Sequence, residues 1–445
     1  MVLLLQRRCI MEEIKQRNIY LKQLLSFKDQ EPVKIITGIR RCGKSTVMKL
    51  MMQYLIEHDT PSEQIIYMNF ESNHFDDFDR KQVYQYVKER IITGKKMYIF
   101  LDEPQTIENW NKTVNSFQID FNCDIYITGS NAYLLSSEYA TYLSGRYVEI
   151  KMLPLSFNEF ITFQGYTLKD YVSPIGEQRK RAYDSMGEMT EMADIFEAYV
   201  RYGGFPVLSD IGLEQDKVLA ILDGIYNTVV KRDIIDRANL KPNSHTIDSV
   251  LLEKICQFLA DNIGSSISFN NISNTLVSNK MLQERKRHGK PAVRTISNYV
   301  DDMTEAYLFY PIKRFDIKGK EYLQTLGKYY MVDTGLRNYL LGYRGIDTGH
   351  QIENIVYFEL LRRGYDVAVG KIGNKEVDFI AIKGEEKIYY QVTQEMRSEE
   401  TITRELAPLK EIKDNFPKIV LTLDSNIKLT EDGIRIINLL DFLLS

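Results

Sequence analysis

A glycine-rich segment near the N-terminus carries residue types that suit phosphate binding. Residues 38–45 read Gly-Ile-Arg-Arg-Cys-Gly-Lys-Ser, which has the spacing G-x-x-x-x-G-K-[ST]. Glycines let the backbone approach an anion without a Cβ clash, lysine supplies positive charge, and a serine hydroxyl can ligate a divalent cation. The segment therefore predicts a site for a polyphosphate and its metal ion.

The flanking sequence provides the strand and the helix that such a loop requires. Residues 33–37 are typical of a short buried strand, and the residues after Ser45 repeat apolar side chains at helical spacing. Loop N–H groups and the helix dipole would then face the phosphates, with Lys44 reaching the β and γ oxygens and Ser45 ligating Mg²⁺. The expected nucleotide-binding residues are Gly38, Arg40, Arg41, Cys42, Gly43, Lys44, Ser45 and Thr46. For the two arginines, contact with nucleotide, with a neighbouring subunit or with solvent alone stays open.

A second motif follows a continuous apolar strand. Residues 97–101 read Met-Tyr-Ile-Phe-Leu and lead into Asp102 and Glu103, the acidic pair expected of the metal-holding strand of a P-loop ATPase. Asp102 would hold Mg²⁺ through water, and Glu103 would orient or deprotonate the attacking water. Alone, the pair is equally typical of a solvated turn. Together with the loop, it predicts binding of ATP and Mg²⁺.

Three further residues are candidates for contact with the reacting phosphate. The strand 124–128 leads into Ser130 and Asn131, and we assign one of them a sensing role at the γ-phosphate or the catalytic water. A polar turn that caps the next helix is the alternative. Arg146 precedes another predicted strand and would supply positive charge to the transition state, with an ordinary surface arginine as the alternative. The predicted catalytic group is Glu103, Lys44, Arg146, Ser130 and Asn131.

Several segments together resemble one protein family. Besides the phosphate loop, they are Phe100–Glu103, Ile127–Ser130, Ser144–Arg146, Leu153–Phe160 and Tyr202–Pro206. The sequence resembles the prokaryotic AAA-type P-loop ATPases that carry a C-terminal domain of unknown function with a nuclease-like fold. The resemblance spans nearly the whole chain. It implies an additional-strand P-loop fold with a catalytic glutamate, followed by a winged-helix module.

The middle of the chain contains helical patterns and then a basic region. Residues 155–240 predict a helical lid, and residues 241–335 predict a winged helix with Thr295–Val300 at the start of its recognition helix. The basic residues here are Lys280, Arg285, Lys286, Arg287, His288, Lys290 and Arg294, with Lys313, Arg314, Lys318 and Lys320 on the predicted wing. Such clustering suits contact with nucleic-acid phosphates, so residues 280–320 are a candidate DNA-binding region. Protein contact or a solvated loop is the alternative.

The last segment, residues 336–445, orders its acidic residues as restriction-endonuclease-like domains do. Glu353 and Glu359 lie on a predicted helix, Asp378 lies on the next strand, and Gln391-Val-Thr stands where active members carry Glu-x-Lys. Those members hold Mg²⁺ and neutralise charge during phosphodiester hydrolysis. Loss of the lysine favours a degenerate domain kept for binding or assembly. An active variant site of Glu353, Asp378 and Gln391 is the alternative.

Composition limits the class of protein. The 445 residues are 44% hydrophobic with a net charge of −4, which allows folded cores but gives no global positive field. Four widely spaced cysteines fit neither a disulfide framework nor a zinc motif. Because no apolar run approaches the roughly 20 residues of a membrane span, and because the start is unlike a signal peptide, we expect a cytoplasmic protein.

The sequence thus predicts a multidomain α/β chain. A P-loop core with a doubly wound parallel sheet would occupy residues 1–154, followed by the lid at 155–240, the winged helix at 241–335 and the degenerate nuclease-like domain at 336–445. ATP hydrolysis with Mg²⁺ is the expected reaction, coupled to DNA binding. A nucleotide-gated switch that docks protein partners and, less favoured, an ATP-regulated nuclease remain open. Oligomerisation is possible, since an arginine acting across subunits would need it.

Overall fold

The computed structural model describes residues 14–132, 145–173, 176, 178–240, 247–278, 291–345, 348–424 and 430–445. The chain forms two compact units. The first runs to Met152 and includes Glu305–Tyr307, and the second comprises Leu153–Thr304 and Leu308–Ser445. Within the described ranges, no helix combines the length and the apolar character that crossing a membrane requires.

The first unit is built on a parallel sheet. Its strands are β1 (Val33–Thr37), β2 (Ile65–Asn69), β3 (Met97–Asp102), β4 (Cys123–Gly129) and β5 (Tyr147–Lys151). Its helices are α1 (Asn18–Ser26), α2 (Lys44–Glu57), α3 (Arg80–Lys88) and α4 (Trp110–Asp120). The strand order is β2-β3-β4-β1-β5, and all neighbours are parallel. The α/β fold with a parallel central sheet that the sequence predicted is confirmed.

The topology of this sheet brings three loops together. Every residue of β1 and β3 is buried, as in parallel sheets that are covered on both faces, which explains the continuous apolar runs. β4 lies between β1 and β3, so it is the additional strand that the resemblance implied. Because the strands are parallel, the loops after β1, β3 and β4 meet at one edge, where α/β sheets bind their ligands.

The second unit opens with an element that the sequence did not predict. After α5 (Phe157–Phe163), the strands β6 (Thr167–Val172), β7 (Gln178–Tyr183) and β8 (Met189–Thr190) form an antiparallel three-stranded sheet. The expectation for residues 155–240 was a helical lid. The strands are largely charged and half-exposed, so they lack the apolar alternation that marks a strand.

A helical region follows this sheet. It contains α6 (Met192–Tyr202), α7 (Leu208–Ile211), α8 (Gln215–Thr228), a π-helical segment (Val229–Asp236), α9 (Arg237–Leu240), α10 (Ser249–Asp261), α11 (Phe269–Ser278) and α12 (Val293–Glu305). The last three lie within residues 241–335, for which the sequence predicted a winged helix, and α12 includes the predicted start of the recognition helix at Thr295–Val300. Residues 192–240 are thus mostly helical, as the lid prediction for 155–240 expected, although the hydrogen bonding at Val229–Asp236 is π rather than α.

An eight-stranded mixed sheet forms the rest of the second unit. Its strands are β9 (Phe309–Asp316), β10 (Glu321–Met331), β11 (Asp366–Ile372), β12 (Lys375–Lys383), β13 (Glu386–Thr393), β14 (Lys418–Thr422), β15 (Thr430–Glu431) and β16 (Ile434–Asn438). The accompanying helices are α13 (Thr334–Leu341), α14 (Thr348–Arg362), α15 (Glu399–Glu411) and α16 (Leu439–Leu444). The strand order is β10-β9-β11-β12-β13-β14-β16-β15.

The hairpin of β9 and β10 belongs to this larger sheet. The sequence assigned it to a wing that ends at residue 335, but β9 pairs in parallel with β11, with Lys313 opposite Ala368. A bridge between Ile267 and Gly327 also joins β10 to the segment that separates α10 from α11. The sheet therefore runs across the boundary predicted at residue 335, and the division into four domains stays a prediction.

Two of the segments that carry the family resemblance, Leu153–Phe160 and Tyr202–Pro206, contact each other. The N–H of Leu155 donates to the carbonyl oxygen of Gly204 at 2.7 Å. The N–H of Gly204 donates to the carboxylate of Asp333 at 2.7 Å, and Asp333 also caps α13 by accepting from the N–H of Leu336. A Cβ on Gly203 would overlap that carboxylate. Gly203 is therefore required by the buried Asp333, whereas a Cβ on Gly204 would meet the carbonyl oxygen of Leu155.

Candidate functional site

The phosphate loop joins β1 to α2 and needs glycine at two positions. Gly38 has a φ of 146° and Gly43 a φ of 101°. A Cβ on Gly38 would overlap the carbonyl oxygen of Met152. Met152 is fixed there because its N–H donates to Thr37 at 2.7 Å, directly after the pairing of β5 with β1. The approach of β5 thus adds a structural reason for a glycine that the motif explained through phosphate.

Lys44 is buried in the first turn of α2. Its Nζ donates to the carbonyl oxygens of Gly38 at 3.0 Å and Ile39 at 3.2 Å. The same nitrogen lies 3.7 Å from Oε1 of Glu103. The ammonium is therefore surrounded by oxygen acceptors inside the loop that the sequence assigned to phosphate.

Asp102 ends β3 next to Ser45. The Ser45 hydroxyl donates to Oδ1 of Asp102 at 3.0 Å, the Tyr67 hydroxyl donates to Oδ2 at 2.9 Å, and Thr128 also donates to Oδ1. Burial raises the pKa of the Asp102 carboxyl despite these hydrogen bonds. Ser45 and Asp102 thus present adjacent oxygen atoms, the ligand type that Mg²⁺ prefers.

Glu103 follows at the turn, with a φ of 56°. Its N–H donates to the Thr128 hydroxyl at 3.1 Å, and its carboxylate accepts from the N–H of Ser130 at 3.2 Å and from the Gln105 side chain. Burial alone would raise the pKa of Glu103, but the charge of Lys44 and these hydrogen bonds hold it below its ordinary value. The lowered pKa favours the ionised carboxylate, which is the form that a base for water needs.

The other predicted loop residues take different positions. Ser130 and Asn131 are both buried, and the N–H of Ser130 donates to the carboxylate of Glu103. The sensing role of either side chain at the γ-phosphate stays a prediction. The guanidinium of Arg40 pairs with Glu71 at 2.7 Å. Cys42 is buried, and burial raises the pKa of its thiol. Arg41 and Thr46 are exposed.

Arg146 lies at the end of the sheet where the parallel strands begin, opposite the end that carries the phosphate loop. It precedes β5, in which Tyr147 pairs with Val33 at the start of β1, and it donates to the Asn115 side chain at 3.3 Å. The phosphate loop follows the end of β1, and a five-residue strand spans about 17 Å. The structure therefore does not bring Arg146 to Lys44 and Glu103 of its own chain. A role at the site of a neighbouring chain stays a hypothesis.

Sequence reasoning missed three residues that support the site. Arg17 is buried, donates to the carbonyl oxygen of Cys42 at 3.0 Å, and lies 4.8 Å from the ring centroid of Tyr20. No motif marks this arginine. Tyr67 and Thr128, which donate to Asp102, lie on the strands that flank β3, so their positions beside the acidic pair were open to prediction.

The residues at this edge fit a nucleoside triphosphate with Mg²⁺. A buried ammonium in the first turn of a helix and adjacent hydroxyl and carboxylate oxygens together suit a polyphosphate and a hard divalent cation. Lys44 would contact the phosphate oxygens. Ser45 and Asp102 would hold the metal.

A second charged cluster lies on the eight-stranded sheet. Lys328 on β10 is 4% exposed, lies 3.8 Å from Oε1 of Glu353 and pairs with Glu376. Tyr330 also donates to Glu353. Burial by itself would lower the pKa of Lys328, but the two carboxylates raise it above its ordinary value. The buried ammonium therefore stays charged between two glutamates.

Three more predicted or neighbouring residues complete this cluster. Asp378 accepts from the N–H of Val392 at 2.8 Å, and the Gln391 side chain donates to Glu405 at 3.1 Å. Burial and the nearby Glu353 raise the pKa of Asp378 well above its ordinary value. The residues bordering the adjacent open groove of about 830 Å³ include Lys375, Glu376, Gln391, Glu399, Arg404 and Glu405. Sequence reasoning named Glu353, Asp378 and Gln391 here but missed Lys328.

Glu359 lies apart from this cluster. Its carboxylate pairs with Arg362 at 2.8 Å and with Arg363 at 2.9 Å along the same helix. Glu353 is thus the acidic residue of α14 that faces Lys328.

Two family models match separate parts of the chain, and two known proteins are similar to it over most of its length. Residues 30–161 match a family described as an AAA domain, and residues 193–347 match a domain of unknown function, DUF8612. An uncharacterized protein of Haemophilus influenzae is 41% identical over 432 residues, covering 96% of this chain and 98% of that protein. An uncharacterized protein of Methanocaldococcus jannaschii is 30% identical over 391 residues, covering 86% and 79%. The chain belongs to this family of AAA-domain proteins.

The AAA domain therefore contains the site around Lys44. The domain of unknown function matches the middle of the chain, whereas the resemblance had placed one at the C-terminus. Among solved structures, a Walker-type ATPase of Pyrococcus abyssi is similar with a TM-score of 0.47 and 12% identity, covering 74% of this chain and 97% of that one.

Proposed function

We propose that the chain hydrolyses ATP in its AAA domain and couples nucleotide state to DNA binding. The observation that carries the proposal is the position of Glu103. Its carboxylate lies 3.7 Å from the ammonium of Lys44 and 3.2 Å from the N–H of Ser130, beside the Ser45–Asp102 pair. A base, a phosphate-binding cation and a metal-ligand pair thus share one sheet edge.

Each residue has a distinct role in this proposal. Lys44 would bind the β and γ oxygens and offset the charge that develops during in-line attack. Mg²⁺, held by Ser45 and Asp102, supplies further positive charge when bound. Glu103 would orient a water molecule and accept its proton. Because phosphate oxygens would draw Lys44 away from Glu103, nucleotide binding would also free the carboxylate to contact water.

The DNA half of the proposal is supported by exposed cations in the second unit. Lys313, Lys318 and Lys320 are exposed on the β9–β10 hairpin, and Arg294 is exposed at the start of α12. Arg314 lies 3.4 Å from Glu376, so part of its charge is already balanced. The remaining predicted residues, Lys280, Arg285, Lys286, Arg287, His288 and Lys290, lie outside the described residues.

Steady-state ATP hydrolysis, measured with and without double-stranded and single-stranded DNA at low and moderate salt, tests the proposal. Lys44→Ala is the blank for contaminating activity. Stimulation that falls with rising salt is expected, because phosphate contacts release counterions. A slow rate indifferent to DNA would favour the switch that docks protein partners.

Three lysines of the hairpin allow a sharper test. Replacing Lys313, Lys318 and Lys320 together with alanine should flatten the salt dependence of duplex binding, by about 0.9 in log–log slope for each phosphate contact removed. A matched triple replacement of the exposed lysines Lys22, Lys81 and Lys95 should leave the slope unchanged. Equal effects of the two triples would exclude the hairpin as the DNA contact.

For the C-terminal cluster we propose a nuclease-like domain that no longer cleaves. The supporting observation is Lys328, whose ammonium lies between Glu353 and Glu376 and balances their charge without a metal ion. Incubation of plasmid DNA with Mg²⁺ or Mn²⁺ should give no cleavage. Metal-dependent cleavage that disappears in Asp378→Ala would instead establish the ATP-regulated nuclease.

A further inference from the structure

The three-stranded sheet β6–β8 has no role in the site described above. It occupies residues 167–190, between the segments that match the AAA domain and the domain of unknown function. Its strands carry many cations and tyrosines, although sequence reasoning assigned the segment to a helical lid.

The pairing of β6 with β7 collects these residues on one face. Lys169 is opposite Arg181, and Tyr171 is opposite Arg179. Tyr183, opposite Thr167, lies on the same face, because side chains alternate along a strand and paired residues share a face. This face, which we call the tyrosine–cation face, consists of Thr167, Lys169, Tyr171, Arg179, Arg181 and Tyr183. None of its residues is acidic.

The cations of this face lie over its aromatic rings. Nζ of Lys169 is 4.4 Å from the ring centroid of Tyr183, and the guanidinium carbon of Arg181 is 3.9 Å from that of Tyr171. Both contacts are diagonal between the two strands, so they alternate along the face. Lys169 and Arg181 remain exposed, while the tyrosines are half-buried.

The charges on the other face are arranged differently. There Lys180 pairs with Asp170 at 3.1 Å, so the two charges balance each other, and Ala182 is buried. Arg179, at the end of the tyrosine–cation face, lies 3.4 Å from Asp441. Within the part of the chain that the structure describes, Lys169 and Arg181 contact rings and no carboxylate.

We propose that the tyrosine–cation face binds single-stranded nucleic acid. This proposal rests on the proposed function, for which it names the partner. A guanidinium plane held over a tyrosine can stack on a base, as aromatic rings do in proteins that bind single strands. Lys169 lies on the same strand as Tyr171, two residues and about 6.8 Å away, and its ammonium suits the backbone phosphates. In a duplex the base faces are already stacked, so the planar groups favour a single strand.

Fluorescence anisotropy tests this inference by measuring how the full chain binds labelled oligothymidine and oligouridine. The measurement is repeated at several salt concentrations from about 50 to about 200 mM, so that the slope of affinity against salt is obtained. Tyr171→Ala should weaken binding roughly 10-fold with an unchanged salt slope, since it removes stacking. Lys169→Ala should reduce the slope by about 0.7, the value for one phosphate contact on a single strand. Tyr171→Phe should bind as the wild type does.

Arg90→Ala is the matched control, because the Arg90 guanidinium lies 3.5 Å from the Tyr86 ring on the AAA domain. Thermal melting would identify any variant that fails to fold, and Lys169→Gln would then replace it. The inference would be overturned if Arg90→Ala lost as much affinity for the oligonucleotides as Lys169→Ala does, or if neither Tyr171→Ala nor Lys169→Ala changed that affinity. Tighter binding of a polyglutamate peptide than of the oligonucleotides would also overturn it. ATP hydrolysis by the wild type is measured separately, so its absence would contradict the proposed ATPase without deciding the binding result.

Discussion

The ammonium of Lys44 lies 3.7 Å from the carboxylate of Glu103, and both side chains are buried. One residue comes from the loop after β1 and the other from the turn after β3. The pair links the cation that would bind phosphate to the base that would act on water. Any ligand that attracts Lys44 therefore changes the electrostatic environment of Glu103.

Replacement of Glu103 by glutamine should separate binding from hydrolysis. Glutamine keeps the size of the side chain but cannot accept the proton of water, so turnover should fall at least about 100-fold while ATP still binds. Single-turnover hydrolysis and equilibrium binding of ATP measure the two effects. Glu108→Gln, the same change at an exposed position nearby, should leave both unchanged. Unaltered turnover in Glu103→Gln would remove Glu103 from the role of base.

Replacement of Gly38 by alanine should disrupt the phosphate loop. The new Cβ would meet the Met152 carbonyl at a positive φ, so the free energy of unfolding should fall by about 3 kcal/mol or more. Gly94 also has a positive φ, but its Cβ would meet nothing within 4 Å, so Gly94→Ala isolates the backbone cost of about 1 kcal/mol. Urea denaturation compares the two. Similar losses would mean that the contact with Met152 is not decisive.

The buried carboxyl of Asp333 should make stability depend on pH. Burial raises the pKa of Asp333 from 3.8 to about 6, although the N–H groups of Gly204 and Leu336 oppose this. The folded state therefore binds a proton more tightly than the unfolded state. Its contribution is present below pH 4 and is lost as the pH rises through 6, a change on the order of 3 kcal/mol.

Asn cannot ionise, so Asp333→Asn should remove this component whatever its absolute stability. Denaturation curves at several pH values from 4 to 7 give the difference between wild type and variant. A difference that is independent of pH would show that Asp333 does not titrate in this range.

Removal of Lys328 should be costly because it leaves the buried carboxylate of Glu353 and the half-exposed carboxylate of Glu376 without their cation. Lys328→Ala should lower the free energy of unfolding by roughly 3–5 kcal/mol. Lys375→Ala, which removes an exposed pair with Glu411 at 2.7 Å, should change it little. If the ammonium replaces a metal ion, Mg²⁺ should raise the melting temperature of Lys328→Ala more than that of the wild type. Equal effects of Mg²⁺ on both proteins would contradict that role.

The motifs of the AAA domain were predictable because each joins local chemistry to one strand and one turn. Residues 33–45 and 97–103 carry their own strand, loop and functional side chains, so parallel topology alone brings Lys44, Asp102 and Glu103 together. The strands β1, β3 and β4 were likewise visible as apolar runs. Arg146 precedes β5, and in a parallel sheet the residue before a strand lies at the edge opposite the phosphate loop. The expected contact with the site of its own chain overlooked this direction.

Other features depend on contacts between distant parts of the chain. Arg17 reaches Cys42, and Lys328 reaches Glu353, through pairings that no local pattern marks. The β9–β10 hairpin was recognised, but its place in the larger sheet depends on the register with β11. The sheet β6–β8 was missed because its strands carry charges where apolar alternation is expected.

The first unit includes Glu305–Tyr307, a segment that is synthesised long after the rest of that unit. Tyr307 is buried there and donates to Glu149 at 3.4 Å, and Glu149 also accepts from Thr37 at the end of β1. All of Leu153–Thr304 must be synthesised before Glu305–Tyr307, which takes roughly 8 to 30 seconds at about 5–20 residues per second. During that time, the nascent AAA domain lacks the contacts that Tyr307 makes in the finished protein. A fragment that ends at Met152 should lack those contacts permanently and be more sensitive to proteases than the full chain.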